Sequence, residues 1–173
     1  MNNKLIYYQI SATKATDIPL MQGYRIKVYY PRADRLNMHT NFKLIYLFWY
    51  LFTLGRYSIY YVYDESGKII HHSHVMRKIF KYAFMPRKNS IHIGPCWTDK
   101  NHRGKGIYPA VVSKICADYS QKDVYIFTDD DNISSQKGIE KVGFKPYATG
   151  FKTRFLGIFK TSLRDNSGRI TGE

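Results

Sequence analysis

Apolar and polar positions alternate at period two along several stretches of the chain and recur every three to four residues along others, which predicts an α+β protein. Residues 4–10 read as a strand. Over residues 24–30, Tyr24, Ile26, Val28 and Tyr30 alternate with Arg25, Lys27 and Tyr29, a second strand. A polar connection over 31–38 leads to a helix expected over 40–54, with Gly55 as its C′ residue. Residues 57–63 and 68–76 flank the turn Asp64-Glu65-Ser66-Gly67 and predict a hairpin. A basic aromatic stretch over 79–88 then runs into a strand over 90–98.

The second half is more regular. A polar loop, 99–106, opens a helix whose first turn carries Pro109, a favoured early position. Val111, Val112, Ile115, Cys116 and Tyr119 form its apolar stripe. Residues 123–128 are apolar on both faces, the pattern of an interior strand flanked by parallel partners. Asn132 caps a further helix that ends at Gly143, with Phe144 packing back on it. Aromatic-rich segments at 145–149 and 151–160 complete a mixed, mostly antiparallel sheet with one central βαβ crossover. The residues beyond 160 are expected to fray.

Composition narrows the class. The chain has 173 residues, 44% of them apolar and 16% aromatic, which excludes a disordered or collagen-like chain. One domain over 1–173 is expected at this length. Cys96 and Cys116 form no CxxC pair, so no cysteine-stapled secreted class applies. Two thiols and no signal-like start point to a reducing cytoplasm. Lys and Arg exceed Asp and Glu by 27 to 13, a net charge of +14. That excess predicts an anionic partner: nucleic acid, an acidic membrane or phosphorylated small molecules. Residues 44–54 are about half the length that spans a bilayer, so they read as a buried or peripherally membrane-touching helix.

Between the strand at 90–98 and the helix that follows lies Arg103-Gly104-Lys105-Gly106-Ile107-Tyr108. Backbone N–H groups at a helix start favour a phosphate there, glycines let it come close, and Arg103 and Lys105 add charge. The spacing is not that of a Walker A loop, and Pro109 stands where a dinucleotide fingerprint has its third glycine. By itself the run also fits an ordinary surface turn.

This segment resembles motif A of the GNAT superfamily of acyl-CoA N-acyltransferases, Arg/Gln-x-x-Gly-x-Gly/Ala, with Arg103 first and Gly106 fourth. Tyr108 departs from the small residue of the sixth position. Cys96-Trp97-Thr98 precedes the loop as in the family, and Asn132-Ile133-Ser134-Ser135 and Gly143-Phe144 are similar to its next helix. The resemblance covers about 57–160, leaving 1–56 divergent and 161–173 as a tail. More weakly, the chain resembles members from bacterial surface-polysaccharide gene clusters.

The resemblance implies a GNAT-like fold, acetyl-CoA as cosubstrate, no metal, and an amine acceptor. It implies that the Cys96 backbone N–H meets the thioester carbonyl. Thr98 would pair with the pantetheine arm, and residues Gly104, Lys105, Gly106, Ile107 and Tyr108 would hold the pyrophosphate together with Arg103. Asn132 and Ser135 belong to the same cofactor motif set. His92 falls where many members carry their base, and imidazole suits proton abstraction at neutral pH. The family's acid position is Ile139, which leaves Tyr108 or Tyr147 to protonate the thiolate, or no side chain at all. The leading acceptor is a nucleotide-linked amino sugar. A polyamine, an antibiotic or a protein amine are alternatives within the class.

Each of these residues has a plainer reading. His92 on an interior strand fits a satisfied core histidine. His72 and His74 share a strand face, two ligands where zinc takes three or four, with His71 on the other face. Asp129, Asp130 and Asp131 stand where acids favour a helix N-terminus. Cys96 has no His or Asn at a spacing that marks a thiol nucleophile. A rival of another class is a basic nucleic-acid module, in which Arg77, Lys78, Lys81, Arg87 and Lys88 interleave with Phe80, Tyr82 and Phe84. A CoA-binding fold without catalysis is the third reading.

Overall fold

A single sheet runs through the described part of the chain, its strands beginning, from one edge to the other, at Arg25, Tyr57, Ile69, Ser90, Asp123, Asn3, Lys145, Ile158 and Ile170. The computed structural model describes residues 3–31, 47, 50–51, 53–77, 85, 87–155, 158–165 and 170–171. The strands are β1 (Asn3–Ser11), β2 (Arg25–Tyr29), β3 (Tyr57–Tyr63), β4 (Ile69–Arg77), β5 (Ser90–Thr98), β6 (Asp123–Asp129), β7 (Lys145–Phe155), β8 (Ile158–Asp165) and β9 (Ile170–Thr171). Helix α1 (Ile107–Asp118) joins β5 to β6, and α2 (Ile133–Lys141) joins β6 to β7. The fold is α+β, with the expected mixed sheet and central crossover.

The main core lies between the sheet and the helices. Val111, Val112, Ile115 and Cys116 of α1 and Ile139 of α2 pack on Tyr8, Ile91, Ile93, Val124 and Ile126. Two smaller clusters sit on strands away from that core. One holds Tyr29, Tyr57, Ile59 and Tyr61. The other holds Leu5, Tyr7 and Ala148, with Tyr147 packed against it.

Three expectations need correction. β6 has only one parallel neighbour. It pairs with β5 through Ser90↔Asp123, Ile91↔Val124 and His92↔Tyr125, and is antiparallel to β1 from Leu5↔Asp129 to Ser11↔Asp123. Its two apolar faces meet the helix core on one side and aromatic rings on the other. The two segments expected at 145–149 and 151–160 are not divided at Gly150, which pairs with Leu5 inside a continuous β7. The expected fraying begins too early: Thr161 to Asp165 pair residue by residue with Lys152 to Ala148, and Ile170 and Thr171 add two further rungs. An outer strand held by backbone rungs needs little apolar content.

The helix expected over 40–54 lies largely outside the described residues, as do residues 78–84 of the basic aromatic stretch. At the helix end, the Gly55 N–H donates to Tyr50 O (2.8 Å) and the Leu54 N–H to Leu51 O (3.2 Å). That pattern makes Leu54 the left-handed C′ residue, φ 50°, and Gly55 the one after it.

Candidate functional site

Past His92↔Tyr125 no further rung joins β5 to β6, while β5 continues along β4 as far as His71↔Thr98. The two strands part and open a cleft of about 460 Å³ toward the start of α1. β5 also carries a bulge: Ser73 pairs with Cys96 but Val75 with Ile93, so β5 spends one more residue than β4 at Gly94–Pro95. The extra residue turns Cys96 and Thr98 onto the face of Ile91 and Ile93, and Trp97 onto that of His92.

Loop geometry follows from its own hydrogen bonds. The Asp99 carboxylate accepts from the Asn101 N–H at 2.9 Å and from Lys68 Nζ at 3.3 Å. The first of these, aided by Lys68 and His102, holds the carboxyl below the ordinary range. Arg103 Nε donates to the Thr98 carbonyl at 3.1 Å, tying the loop to the end of β5. Gly104 (φ 76°) and Gly106 (φ 72°) are both left-handed, and a Cβ on either would meet nothing within 4 Å. The cradle therefore consists of open backbone at the helix start, where N–H groups lack intrahelical partners. Pro109 removes an N–H that α1 could not have used.

The second wall comes from α2. Asn132 caps it, accepting from the Ser135 N–H at 3.1 Å. Ser134, Lys137, Gly138 and Lys141 recur along one side at helical spacing and line the cleft, while Ile139 points into the core, 0% exposed. Gly138 has a steric reason: a Cβ there would lie 2.9 Å from Tyr108 Cδ1. The bare helix backbone is what admits a large ring at the sixth motif position.

Cys96, Thr98, Arg103, Gly104, Gly106, Ile107, Tyr108, Asn132 and Ser135 thus converge on one cleft. Lys105 is exposed and does not line it. His92 lies on the opposite sheet face, 7% exposed and stacked on Phe127 (centroids 5.0 Å, planes 17°). Burial pushes its imidazole down to about 4, so it is neutral at pH 7. Tyr147 is also away from the cleft, packed edge-on against Tyr125 at 5.7 Å. Tyr108 lies next to Cys96, and burial raises its phenol well above the ordinary value.

Lys137, Gly138 and Ser73 have no place in the sequence reading, Ser134 and Lys141 lie in the motif segments with no role of their own, and His71 enters only as a histidine beside His72 and His74. The α2 stripe was readable as a polar run at i, i+3, i+4 and i+7 beside the Asn132 cap. His71 and Ser73 had no such signal, because their pairing with Thr98 and Cys96 depends on the bulge at Gly94–Pro95. They form a buried chain: His71 Nδ1 to Thr98 Oγ1 (2.7 Å), His71 Nε2 to Ser73 Oγ (2.8 Å), and Ser73 Oγ to Cys96 Sγ (3.1 Å). Burial pushes the Cys96 thiol up to about 11, which leaves it protonated and unsuited to nucleophilic attack at neutral pH.

The other candidates divide. His72 and His74 do share a face, rings 5.3 Å apart, and His72 stacks on Trp97. Among the described residues no group of three or more metal-ligating side chains forms. Of the basic stretch, Arg77 lies over the Tyr119 ring at 5.7 Å and Arg87 pairs with Asp123 at 2.8 Å. No helix of the described residues is long and apolar enough to cross a membrane.

No family model and no curated protein matches the sequence. Solved structures do match. A tandem GNAT protein from the clavulanic acid biosynthesis pathway superposes with TM-score 0.57 at 12% identity, over 84% of this chain and 51% of that one. A GNAT-family acetyltransferase from Colwellia psychrerythraea gives TM-score 0.55 at 17% identity, over 87% and 55%. The chain has the GNAT fold. A GCN5-related glucosamine N-acetyltransferase region of a fungal multidomain β-N-acetylglucosaminidase also matches, with TM-score 0.54 and 9% identity, over 85% of this chain and 20% of that one. The chain spans about half the length of the first two GNAT chains.

Proposed function

We propose that the chain is an acetyl-CoA-dependent N-acetyltransferase acting on the primary amine of a small molecule. The observation that carries this reading is the cleft. Strand splay, glycine cradle and helix start meet in one groove lined by Arg103, Lys137 and Lys141 and, among the described residues, by no carboxylate. Such a groove suits a long ligand with a pyrophosphate at one end and amides along its arm. The open space beyond Gly104 and Gly106 fits a phosphate drawn up to backbone N–H groups. Acetyl-CoA would bring an acyl group activated as a thioester.

In this reading the Cys96 N–H faces the developing oxyanion, and Thr98 meets the pantetheine arm. His92 serves as proton acceptor on the acceptor side. With its pKa near 4 it is too weak to strip a free ammonium ion, but the nitrogen becomes far more acidic once bonded to the tetrahedral carbon. The amine must therefore arrive unprotonated. A nucleotide-linked amino sugar is the leading acceptor: the net charge of +14 suits an anionic substrate. Glucosamine acetylation on this fold in the fungal protein is consistent with it.

The test is calorimetry with acetyl-CoA at low and moderate salt, on the wild type and on Gly106→Trp. Saturable one-site binding that persists with salt and vanishes in a folded Gly106→Trp variant is the expected outcome. Absence of binding to folded wild type would overturn the proposal and favour the basic nucleic-acid module, whose affinity should fall steeply with salt.

A further inference from the structure

The buried chain beneath the cleft has a direction that follows from counting protons. Ser73 Oγ lies 3.1 Å from Cys96 Sγ, and because a hydroxyl is a stronger donor than a thiol, the one Ser73 proton is assigned to the sulfur. The Ser73 oxygen can then only accept from His71, so His71 Nε2 carries a hydrogen. His71 is 0% exposed, and a neutral imidazole has a single N–H, so Nδ1 is an acceptor. Thr98 must therefore donate its only proton inward, to Nδ1. No proton remains for the side of Thr98 Oγ1 that faces the groove.

We infer that His71 is a positioning residue that sets the hydrogen-bonding polarity of the cleft wall: it makes Thr98 Oγ1 an acceptor-only group that takes an amide N–H of the ligand, and it braces Cys96 and Thr98 against β4 past the bulge. The Cys96 S–H, its sulfur already accepting from Ser73, is left as the donor two residues away. The wall thus presents an acceptor at Thr98 and a donor at Cys96, an order matched by a ligand arm with an amide N–H and a carbonyl in sequence. The bulge at Gly94–Pro95 is what gives the chain this task, since it interrupts the β4–β5 ladder between Ser73 and Val75. This assignment of ligand chemistry rests on the acetyl-CoA reading of the cleft; the direction of the chain does not.

Two measurements on the full chain test it. In ¹⁵N-imidazole-labelled protein without ligand, two-bond proton–nitrogen spectra should show His71 as the neutral Nε2–H tautomer; an Nδ1–H tautomer or a charged ring would overturn the inference outright. In calorimetry with acetyl-CoA, Thr98→Val should weaken binding about tenfold, the loss of one hydrogen bond. His71→Leu should do the same, whereas His71→Asn, whose amide oxygen can still accept from Thr98, should stay within about threefold of wild type. Leu and Asn both remove the ring's packing, so the difference between them reports the hydrogen bond and not the cavity. Equal affinity in the two variants, each shown folded by circular dichroism, overturns the positioning role. Wild type that does not bind acetyl-CoA overturns the proposed function instead, and the tautomer measurement still decides the chain.

Discussion

Three histidines are buried on β4 and β5, and together they make an acid-labile core. His71, His74 and His92 are 0%, 5% and 7% exposed. Burial lowers their pKa values to about 3, 4 and 4, with His72 adding to the effect on the first two. In the unfolded chain each would titrate near 6.5. Because the folded values are lower, the unfolded state takes up protons first as pH falls. The stability these groups contribute is complete above about pH 6.5 and is lost progressively down to about pH 4 for His74 and His92 and about pH 3 for His71. From pH 7 to pH 5, a shift from 6.5 to 4 corresponds to about 2 kcal/mol for one group, and the three together to about 6 kcal/mol at most. That ceiling is comparable with the whole stability of a small domain. The assay is urea unfolding at pH 7, 6 and 5 at constant ionic strength, with the wild type and His74→Leu side by side. A steep fall in the wild-type midpoint is expected, reduced by about a third in the variant, and the carboxylates should add little because they titrate lower. A midpoint that holds from pH 7 to pH 5 would refute the reasoning, and so would a variant with the wild-type slope.

Two further outcomes follow from the cleft walls. Gly138→Ala should gain about 1 kcal/mol of helix propensity, yet it sets a Cβ 2.9 Å from Tyr108 Cδ1. Thermal melts should show no gain in the wild-type background and about 1 kcal/mol of stabilisation in a Tyr108→Ala background; a gain in both would mean that the ring does not depend on the glycine. Lys137→Glu with Lys141→Glu should weaken acetyl-CoA binding and flatten its salt dependence in calorimetry, and unchanged affinity would remove both lysines from the ligand's field.

The stretch from Ser90 to Gly143 was largely legible because each element carries its own local signal: an apolar β5, Pro109 in the first turn of α1, a buried β6, and Asn132 ahead of α2. Those signals come from neighbours in sequence, which is where turn and cap chemistry operates. The cleft wall was less legible. Strict alternation along β5 puts Cys96 on the face of His92, and only the extra residue at Gly94–Pro95 moves it to the face of His71 and Ser73. A bulge is specified by pairing with another strand, so nothing local to Cys96 announces its partners. The same limit hid the end of the sheet. Thr161 to Asp165 have no strong apolar alternation, and their place beside β7 is set by the ladder they complete.

The short pairing of β5 with β6 leaves an edge inside the sheet, two backbone rails that diverge after three rungs. A ligand whose amides bond to those rails acts as a removable strand, present when the cosubstrate is abundant and missing when it is scarce. Because such a ligand binds only the folded chain, it stabilises the fold in proportion to the logarithm of its concentration. On the acetyl-CoA reading, the protein's resistance to unfolding and to proteases becomes a gauge of acyl supply, and abundance in the cell would follow metabolism with no dedicated regulator.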